Sequence, residues 1–240
     1  MLVSARLAFL TLIAASAVLV VDARSVNATG RATGLDARDF RAVRETAGPT
    51  FVNCNSQQEA TIRKGITTAN GYRDDAIKYL TKLGPKPTEN NSNLHRYIKW
   101  FGRYNDDRYR SVYTLFSAMK SHPLDSTEFT CATFMQCKKN TSFLRAFILV
   151  AFVITPDIGK INLCSNFWKE SDEAQARALL HETTHFSYEL TETGATRKTD
   201  YVYGSEAGQK LAKEPMMGPQ SAVMNADNYA FFAADSDGNL

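Results

Sequence analysis

Two histidines and a glutamate stand close together in the second half of the chain, in the order His181-Glu182-Thr183-Thr184-His185. If this segment is helical, the imidazoles at positions i and i+4 lie one above the other on a single face. Such a pair can bind one Zn²⁺, and the glutamate between them can act as a base toward a water molecule on the metal. The pattern therefore predicts a catalytic zinc site on a helix.

A catalytic zinc site needs a third protein ligand and an open position for water. A third histidine six residues after the motif, as in metzincins, is excluded because Thr191 stands there. A glutamate on a later helix, as in gluzincins, fits the spacing, since Glu206 lies 25 residues after His181. Asp200 is the other candidate. Spacing alone leaves Glu206 and Asp200 open.

Composition describes an ordinary globular protein. The chain has 240 residues, of which 44% are hydrophobic and 22% charged. This length is enough for one sizeable domain or two small ones. The net charge is only +3. No basic domain is present that would indicate a nucleic-acid partner.

The first 49 residues read as targeting and processing segments. Arg6 is followed by an apolar run from Leu7 to Val21, and Val21-Asp22-Ala23 offers small residues for cleavage. We therefore expect a signal peptide over 1–23. The polar, Arg-rich residues 24–49 resemble a pro-segment, which leaves 50–240 as the catalytic domain. These segments predict a secreted, extracellular protein with no membrane contact after signal removal; a membrane anchor is the alternative.

The four cysteines form an even set: Cys54, Cys131, Cys137 and Cys164. Three disulfide pairings are possible from sequence, and metal ligation is the competing interpretation. Disulfides are favoured because the chain has no CxxC pattern and the expected compartment is oxidising.

Hydrophobic periodicity predicts an α+β fold that is mainly helical, with a small sheet between the first helices and the HExxH helix. The predicted helices span residues 57–83, 94–119, 172–189, 205–213 and 221–234. The predicted strands span residues 127–135, 146–155 and 161–164.

The residues after the histidines resemble a known protease family. The sequence Asp200-Tyr201-Val202-Tyr203-Gly204 is similar to the second half of the GTxDxxYG motif of the aspzincin metalloendopeptidases, the deuterolysin family. The first half departs from that motif, because Arg197 and Lys198 stand at its Gly and Thr positions. The loop from His185 to Asp200 is also long, which suggests an insertion.

Four further segments resemble the peptidyl-Lys metalloendopeptidases of this family, in the same order along the chain. They comprise residues 50–54, 97–103, 163–169 and 222–228. The resemblance implies a zincin-like catalytic domain with a C-terminal helix. It also implies the disulfide pairings Cys54–Cys131 and Cys137–Cys164.

The resemblance further implies a role for each site residue. His181, His185 and Asp200 would bind one catalytic Zn²⁺, which lowers the pKa of its water to about 7. Glu182 would act as general base and then general acid. Tyr203 would donate a hydrogen bond to the tetrahedral oxyanion, although a tyrosine there can also be part of the core.

Specificity is expected to depend on the last helix. In the Lys-specific members, two acidic residues of this helix bind the side chain of the residue after the scissile bond. Asp227 matches the first of them, and Ala230 stands at the second. A weakened or broadened preference for lysine and other basic residues is the expectation. Alternatively, Asp227 orients the zinc-binding loop.

We therefore expect a secreted, monomeric zinc endopeptidase that acts on proteins and peptides. Two alternatives remain open from sequence. One is a gluzincin-type peptidase that uses Glu206, and the other is a secreted binding or effector protein whose site is inactive.

Overall fold

The computed structural model describes residues 48–88, 94–121, 124–139, 149–154, 159–186 and 198–235. The expected signal peptide and nearly all of the expected pro-segment lie outside these ranges. The described part is mainly helical with one four-stranded sheet, so the predicted α+β class is confirmed. Within it, no helix has both the length and the apolar character that a bilayer span requires.

Eight α-helices and four strands are assigned in the described ranges. The helices are α1 (Ser56–Leu83), α2 (Leu94–Phe101), α3 (Asp106–Ser121), α4 (Phe134–Lys139), α5 (Asp172–Thr184), α6 (Ser205–Lys213), α7 (Gly218–Met224) and α8 (Ala226–Ala234). The strands are β1 (Thr50–Val52), β2 (Glu128–Cys131), β3 (Ala151–Phe152) and β4 (Lys160–Leu163).

The sheet has the strand order β1-β2-β4-β3. β1 and β4 pair in parallel with β2, and β3 pairs antiparallel with β4. Phe129 in the middle of β2 lies between Phe51 and Ile161 of its two neighbours and is fully buried. The sheet is therefore small but contributes directly to the core.

Helix α1 begins one residue before the predicted start and ends where predicted. Asn55 is its N-cap and forms a capping box with Gln58, each side chain accepting from the other residue's backbone N–H at 2.9 Å. Its buried face packs against the HExxH helix α5 and against α8. The N-terminal helix thus forms the scaffold beneath the site.

The single helix predicted over 94–119 is wrong, because α2 and α3 are separate helices. The break lies at Gly102, which has a positive φ of 72°. A Cβ atom there would lie 2.6 Å from the carbonyl oxygen of Ala212, so only glycine fits this close approach of α6. The apolar periodicity continues across the break and conceals it.

The strand predicted over 127–135 is also wrong at its end, since β2 stops at Cys131 and α4 follows. Thr133 and Gln136 form a capping box: the Gln136 side chain accepts from Thr133 N at 2.7 Å, and the Thr133 hydroxyl accepts from Gln136 N at 3.3 Å. This T-x-x-Q signature starts a helix despite the aromatic and apolar residues around it.

Both disulfides join the sheet to its surroundings. Cys54, just before α1, pairs with Cys131 at the end of β2. Cys137 of α4 pairs with Cys164, which directly follows β4. This pairing matches the one that the family resemblance implies, so metal ligation by these cysteines is excluded.

Arg96 on α2 anchors the end of α8. It is 1% exposed, and its guanidinium donates to the carbonyl oxygens of Phe232 at 2.9 Å and Ala233 at 3.1 Å. It also pairs with Asp75 at 2.8 Å and lies over the rings of Tyr79 and Phe232. The last carbonyls of a helix lack the usual partner one turn ahead, and here Arg96 donates to two of them. The Phe232 carbonyl also accepts from Asp235 N at 3.4 Å.

We expect Arg96→Met to lower the free energy of unfolding by about 3 kcal/mol, because charged hydrogen bonds to two buried helix-end carbonyls and to the Asp75 carboxylate are lost. Urea unfolding measures this change. Arg110→Met is the matched control, since Arg110 pairs with Asp107 on the exposed face of α3 and such pairs contribute little. Equal losses in the two variants would contradict the anchoring role.

Candidate metal centre and active-site cleft

The HExxH motif occupies the last turns of α5. Ser171 is the N-cap of this helix, and its hydroxyl accepts from Ala174 N at 3.3 Å. The helix was predicted to reach residue 189, but it ends at Thr184, and residues 187–189 lie outside the described ranges. His185 N–H donates to Glu182 O at 3.1 Å, which tightens the last turn and ends the helix. His185 keeps a helical conformation as the C-cap, so the i, i+4 arrangement with His181 is retained.

Three side-chain atoms from two distant segments converge at this point. The Nε2 atoms of His181 and His185 are 3.3 Å apart. Asp200 Oδ1 lies 3.1 Å from the former and 3.3 Å from the latter. These three residues form a group that could hold a metal ion.

The hydrogen bonds of the two Nδ1 atoms show which nitrogen of each imidazole carries the proton and which is free to accept. His185 Nδ1 lies 3.1 Å from the carbonyl oxygen of Lys198, which can only accept, so Nδ1 carries the proton. His181 Nδ1 lies 2.6 Å from Asp227 Oδ1, a carboxylate oxygen that also accepts. In the neutral imidazoles both Nε2 atoms therefore present lone pairs toward Asp200.

This donor set fits zinc. Three electron-pair donors that face one another repel unless a cation lies between them. In a tetrahedral site with zinc–ligand distances of about 2.0–2.1 Å, neighbouring ligand atoms are about 3.3–3.4 Å apart. The observed separations of 3.1–3.3 Å are close to that edge length. Two histidines and one carboxylate are also a known type of catalytic zinc ligand set.

The electrostatics of the site favour a cation. Burial alone would lower the pKa of His181, but hydrogen bonds to Asp200 and Asp227 outweigh burial and raise this pKa well above its ordinary value. Burial alone would raise the pKa of Asp200, but the two imidazoles hold this pKa well below its usual range. The surroundings that would attract a proton also attract a metal ion.

Asp200 is positioned by pairing of its segment with the junction between α7 and α8. Thr199 N donates to Met224 O at 2.8 Å, and Ala226 N donates to Thr199 O at 2.9 Å. The side-chain oxygen of Asn225 accepts from the backbone N–H groups of Tyr201 and Val202 at 2.9 and 3.1 Å. The chain is therefore held on both sides of Asp200.

The prediction of a single last helix over 221–234 is wrong, because the pairing with Thr199 interrupts it at Asn225. Asn225 has an extended conformation, with φ −93° and ψ 122°, and separates α7 from α8. Only an extended residue can pair with the strand-like Thr199 in this way. The break in the helix is thus part of the metal site.

A second buried amide fixes this junction to the core. Asn228 Oδ1 accepts from Asn225 Nδ2 at 2.7 Å, and Asn228 Nδ2 donates to the carbonyls of Trp100 and Gly208 at 2.6 and 3.0 Å. Both asparagines are fully buried. Neither asparagine was given a role from sequence. The available signal was two amides three residues apart in a stretch that is apolar except for them and Asp227, since buried amides must find partners.

Asp227 connects the metal site with the next helix. While Oδ1 holds His181, Oδ2 accepts from Gly204 N at 2.6 Å. Gly204 has a φ of 88°, a conformation that favours glycine, and it precedes α6. Both carboxylate oxygens of Asp227 are therefore engaged by the protein. This geometry fits an orienting role, and a direct contact of Asp227 with substrate stays a prediction.

The metal site opens into a cleft of about 820 Å³. Glu182 lines the cleft and is largely buried, and burial raises the pKa of its carboxyl group. Tyr203 also lines it, with its ring nearly parallel to the His181 ring at a centroid distance of 6.1 Å. Glu206 is exposed on the first turn of α6 and does not line the cleft.

Two further residues near the candidate metal ligands were given no role from sequence. Lys198 supplies the carbonyl for His185, while its side chain is 2% exposed and lies 5.1 Å from the Tyr229 ring centroid. Burial lowers the pKa of Lys198 to about 8. Arg177 lines the cleft one helical turn before His181. The i, i+4 spacing from that histidine was the available signal.

Known proteins share this sequence and arrangement. A profile of the aspzincin family, described as lysine-specific metallo-endopeptidase, matches residues 86–234. A peptidyl-Lys metalloendopeptidase of Grifola frondosa is 31% identical over 78% of this chain and 47% of its own length. One of Pleurotus ostreatus is 29% identical over 78% of this chain and 97% of its own length.

An extracellular protease of Aeromonas hydrophila is 27% identical over 76% of this chain and 46% of its own length. The chain thus spans about half the length of several curated relatives that it matches, and nearly all of the Pleurotus protein. The structure of a zinc peptidase from Grifola frondosa superimposes with a TM-score of 0.59 and 28% identity, covering 75% of this chain and 96% of that one. The chain therefore belongs to the aspzincin family of zinc metalloendopeptidases.

Proposed function

We propose that this protein is a zinc-dependent endopeptidase that hydrolyses peptide bonds in proteins and peptides and acts as a monomer. The observation that carries the proposal is the convergence of His181, His185 and Asp200 at the wall of a cleft that Glu182 also lines. A metal-ligand set and a buried carboxylate in one open cleft are the parts that metal-assisted hydrolysis needs.

The three ligands hold the metal, and their partners hold the ligands. Asp227 and the Lys198 carbonyl fix the protonated outer nitrogens, so both Nε2 atoms are available for one Zn²⁺. When bound, the zinc ion supplies a water molecule of lowered pKa, about 7, and polarises the carbonyl of the substrate.

Glu182 moves the proton in this mechanism. Its carboxylate accepts a proton from the attacking water and then donates it to the amine of the leaving peptide. Burial supports this role because it raises the pKa of Glu182 and so makes its carboxylate a stronger base. The helix holds Glu182 next to His181, so the carboxylate and the metal ligands stay in a fixed relation.

Tyr203 is placed to stabilise the developing negative charge. Its ring stacks beside His181, and it is 55% exposed at the cleft, where a substrate can reach it. We propose that its hydroxyl donates a hydrogen bond to the oxyanion of the tetrahedral intermediate.

The preference for a basic residue after the scissile bond is a more specific part of the proposal. A carboxylate in the cleft can attract a basic side chain. Of the two specificity positions on the last helix only Asp227 supplies one, because Ala230 carries no charge. The oxygens of Asp227 already accept from His181 and Gly204, which weakens their attraction for a substrate lysine.

We further propose that the protein is secreted after removal of residues 1–23 and matured by removal of residues 24–49. The apolar N-terminal run supports secretion, and an extracellular protease is among the relatives. The first strand begins at Thr50, which fits a catalytic domain over 50–240.

N-terminal sequencing of protein recovered from the culture medium tests both boundaries, and a mature protein that starts at Met1 would contradict them.

Glu182→Gln tests the proton transfer. We expect kcat/KM on an unstructured protein substrate to fall about 10²- to 10⁴-fold while bound zinc stays at the wild-type level, because the amide cannot accept the proton. Glu173→Gln, on the exposed first turn of the same helix, is the matched control and should retain full activity. Undiminished cleavage by Glu182→Gln would sink the proposed mechanism.

Asp200→Ala and Glu206→Ala distinguish the two candidate third ligands. We expect Asp200→Ala to lose tightly bound zinc and the zinc-dependent rise in Tm, and Glu206→Ala to retain both, because of these two carboxylates only Asp200 contacts the Nε2 atoms of the histidines. Elemental analysis after dialysis and thermal unfolding with added zinc measure these outcomes. If only the Glu206 variant emptied the site, the assignment of Asp200 would be wrong.

A further inference from the structure

Arg177 places a positive charge inside the cleft, close to the metal ligands. It lies one turn before His181 on α5, about 6 Å along the helix axis, and both side chains line the cleft. Its guanidinium carbon lies 5.0 Å from the centroid of the Phe231 ring on α8. The side chain therefore bridges the two helices that form this end of the cleft.

The ring under the guanidinium is itself held in place. Phe231 stacks on Trp100 with a centroid distance of 5.5 Å and an interplanar angle of 11°. Trp100 Nε1 donates to Asp235 at 2.6 Å. The guanidinium therefore rests on a fixed aromatic platform, which limits its motion and prepares it to bind a planar anion.

Arg177 has no carboxylate partner among the residues that the structure describes. The Asp227 and Asp200 carboxylates of the same cleft are held by the zinc-site histidines. Glu170 also lines the cleft, but it is exposed and precedes α5, eleven residues before His181. Arg177 lies only four residues before that histidine, on the same helix.

Small side chains lie beside Arg177 and Phe231 in the sequence of their helices. Ala174 and Ala178 of α5 and Ala230 of α8 all line the cleft. Three methyl groups leave room for a substrate side chain between the helices. A cavity with small walls and one fixed guanidinium is suited to a side chain that carries a carboxylate.

We propose that Arg177 determines the specificity of this subsite and makes it favour aspartate or glutamate as the residue after the scissile bond. The guanidinium would bind the substrate carboxylate through paired N–H···O hydrogen bonds and would repel a lysine ammonium. This proposal rests on the endopeptidase function proposed above, and it opposes the basic preference expected from Asp227.

A series of otherwise identical peptides, with Glu, Asp, Ala or Lys after the scissile bond, tests the proposal in the zinc-loaded protein. We expect the wild type to cleave before Glu or Asp with a kcat/KM at least about tenfold above that for Lys, since a charged hydrogen bond contributes about that factor. Arg177→Ala should bring the ratio of the two kcat/KM values close to one, and Arg177→Glu should reverse the preference in favour of Lys.

Arg63→Ala is the matched control. Arg63 also lies over an aromatic ring, with its guanidinium carbon 4.6 Å from the Phe51 centroid, but it does not line the cleft. Its loss should leave the Glu-to-Lys ratio at the wild-type value. The same ratio in wild type and Arg177→Ala, or a wild-type preference for Lys, would overturn the proposal.

Calorimetric binding of short peptides that begin with Glu or Lys separates this proposal from the endopeptidase function. We expect wild type to bind the Glu peptide at least about tenfold more tightly, and Arg177→Ala to lose the difference. If the wild type cut no peptide but kept this binding preference, the proposed activity would fail and the role of Arg177 would stand. Equal binding of both peptides by the wild type would overturn the role of Arg177.

Discussion

The candidate metal site depends on the pairing of residues 198–204 with the junction between α7 and α8. Asp200 is 15 residues from the second histidine in sequence, and nothing in α5 itself brings it to the imidazoles. Backbone pairing of Thr199 and the two bonds accepted by Asn225 fix the chain on both sides of the carboxylate. Without this junction, the HExxH helix would present two histidines without a third ligand.

Buried polar groups make the junction specific. Asn225 and Asn228 are fully buried, and an unpaired buried amide costs about 1–3 kcal/mol. Both find partners in the observed arrangement, and Asp227 between them contacts His181 and Gly204. Loss of such a partner of a metal ligand commonly reduces metal affinity or activity about 10- to 100-fold. These hydrogen bonds therefore fix the candidate ligands to the core. Arg96 fixes the other end of α8 through its bonds to Phe232 and Ala233.

The sequence indicated the candidate metal ligands, which the structure brings together, more clearly than it indicated the local geometry around them. HExxH and the D-x-x-Y-G pattern were recognisable because their residue types and spacing are fixed by the metal. The breaks at Gly102 and Asn225 were not, because apolar periodicity continues through both, and each break exists to meet a segment distant in sequence. The start of α4 had a readable capping box at Thr133, but the apolar residues around it favoured a strand.

An orienting role of Asp227 was one of the two alternatives from sequence. Its contact with His181, and that of the Lys198 carbonyl with His185, could not be predicted, since they join segments that only the tertiary fold brings together.

X-ray diffraction from zinc-loaded crystals at wavelengths on both sides of the zinc absorption edge tests the central claim most directly. The account predicts an anomalous peak about 2.0–2.1 Å from the Nε2 atoms of His181 and His185 and about 2.0–2.2 Å from a carboxylate oxygen of Asp200. A zinc ion bound through Glu206, or one that leaves Asp200 outside ligand distance, would contradict it.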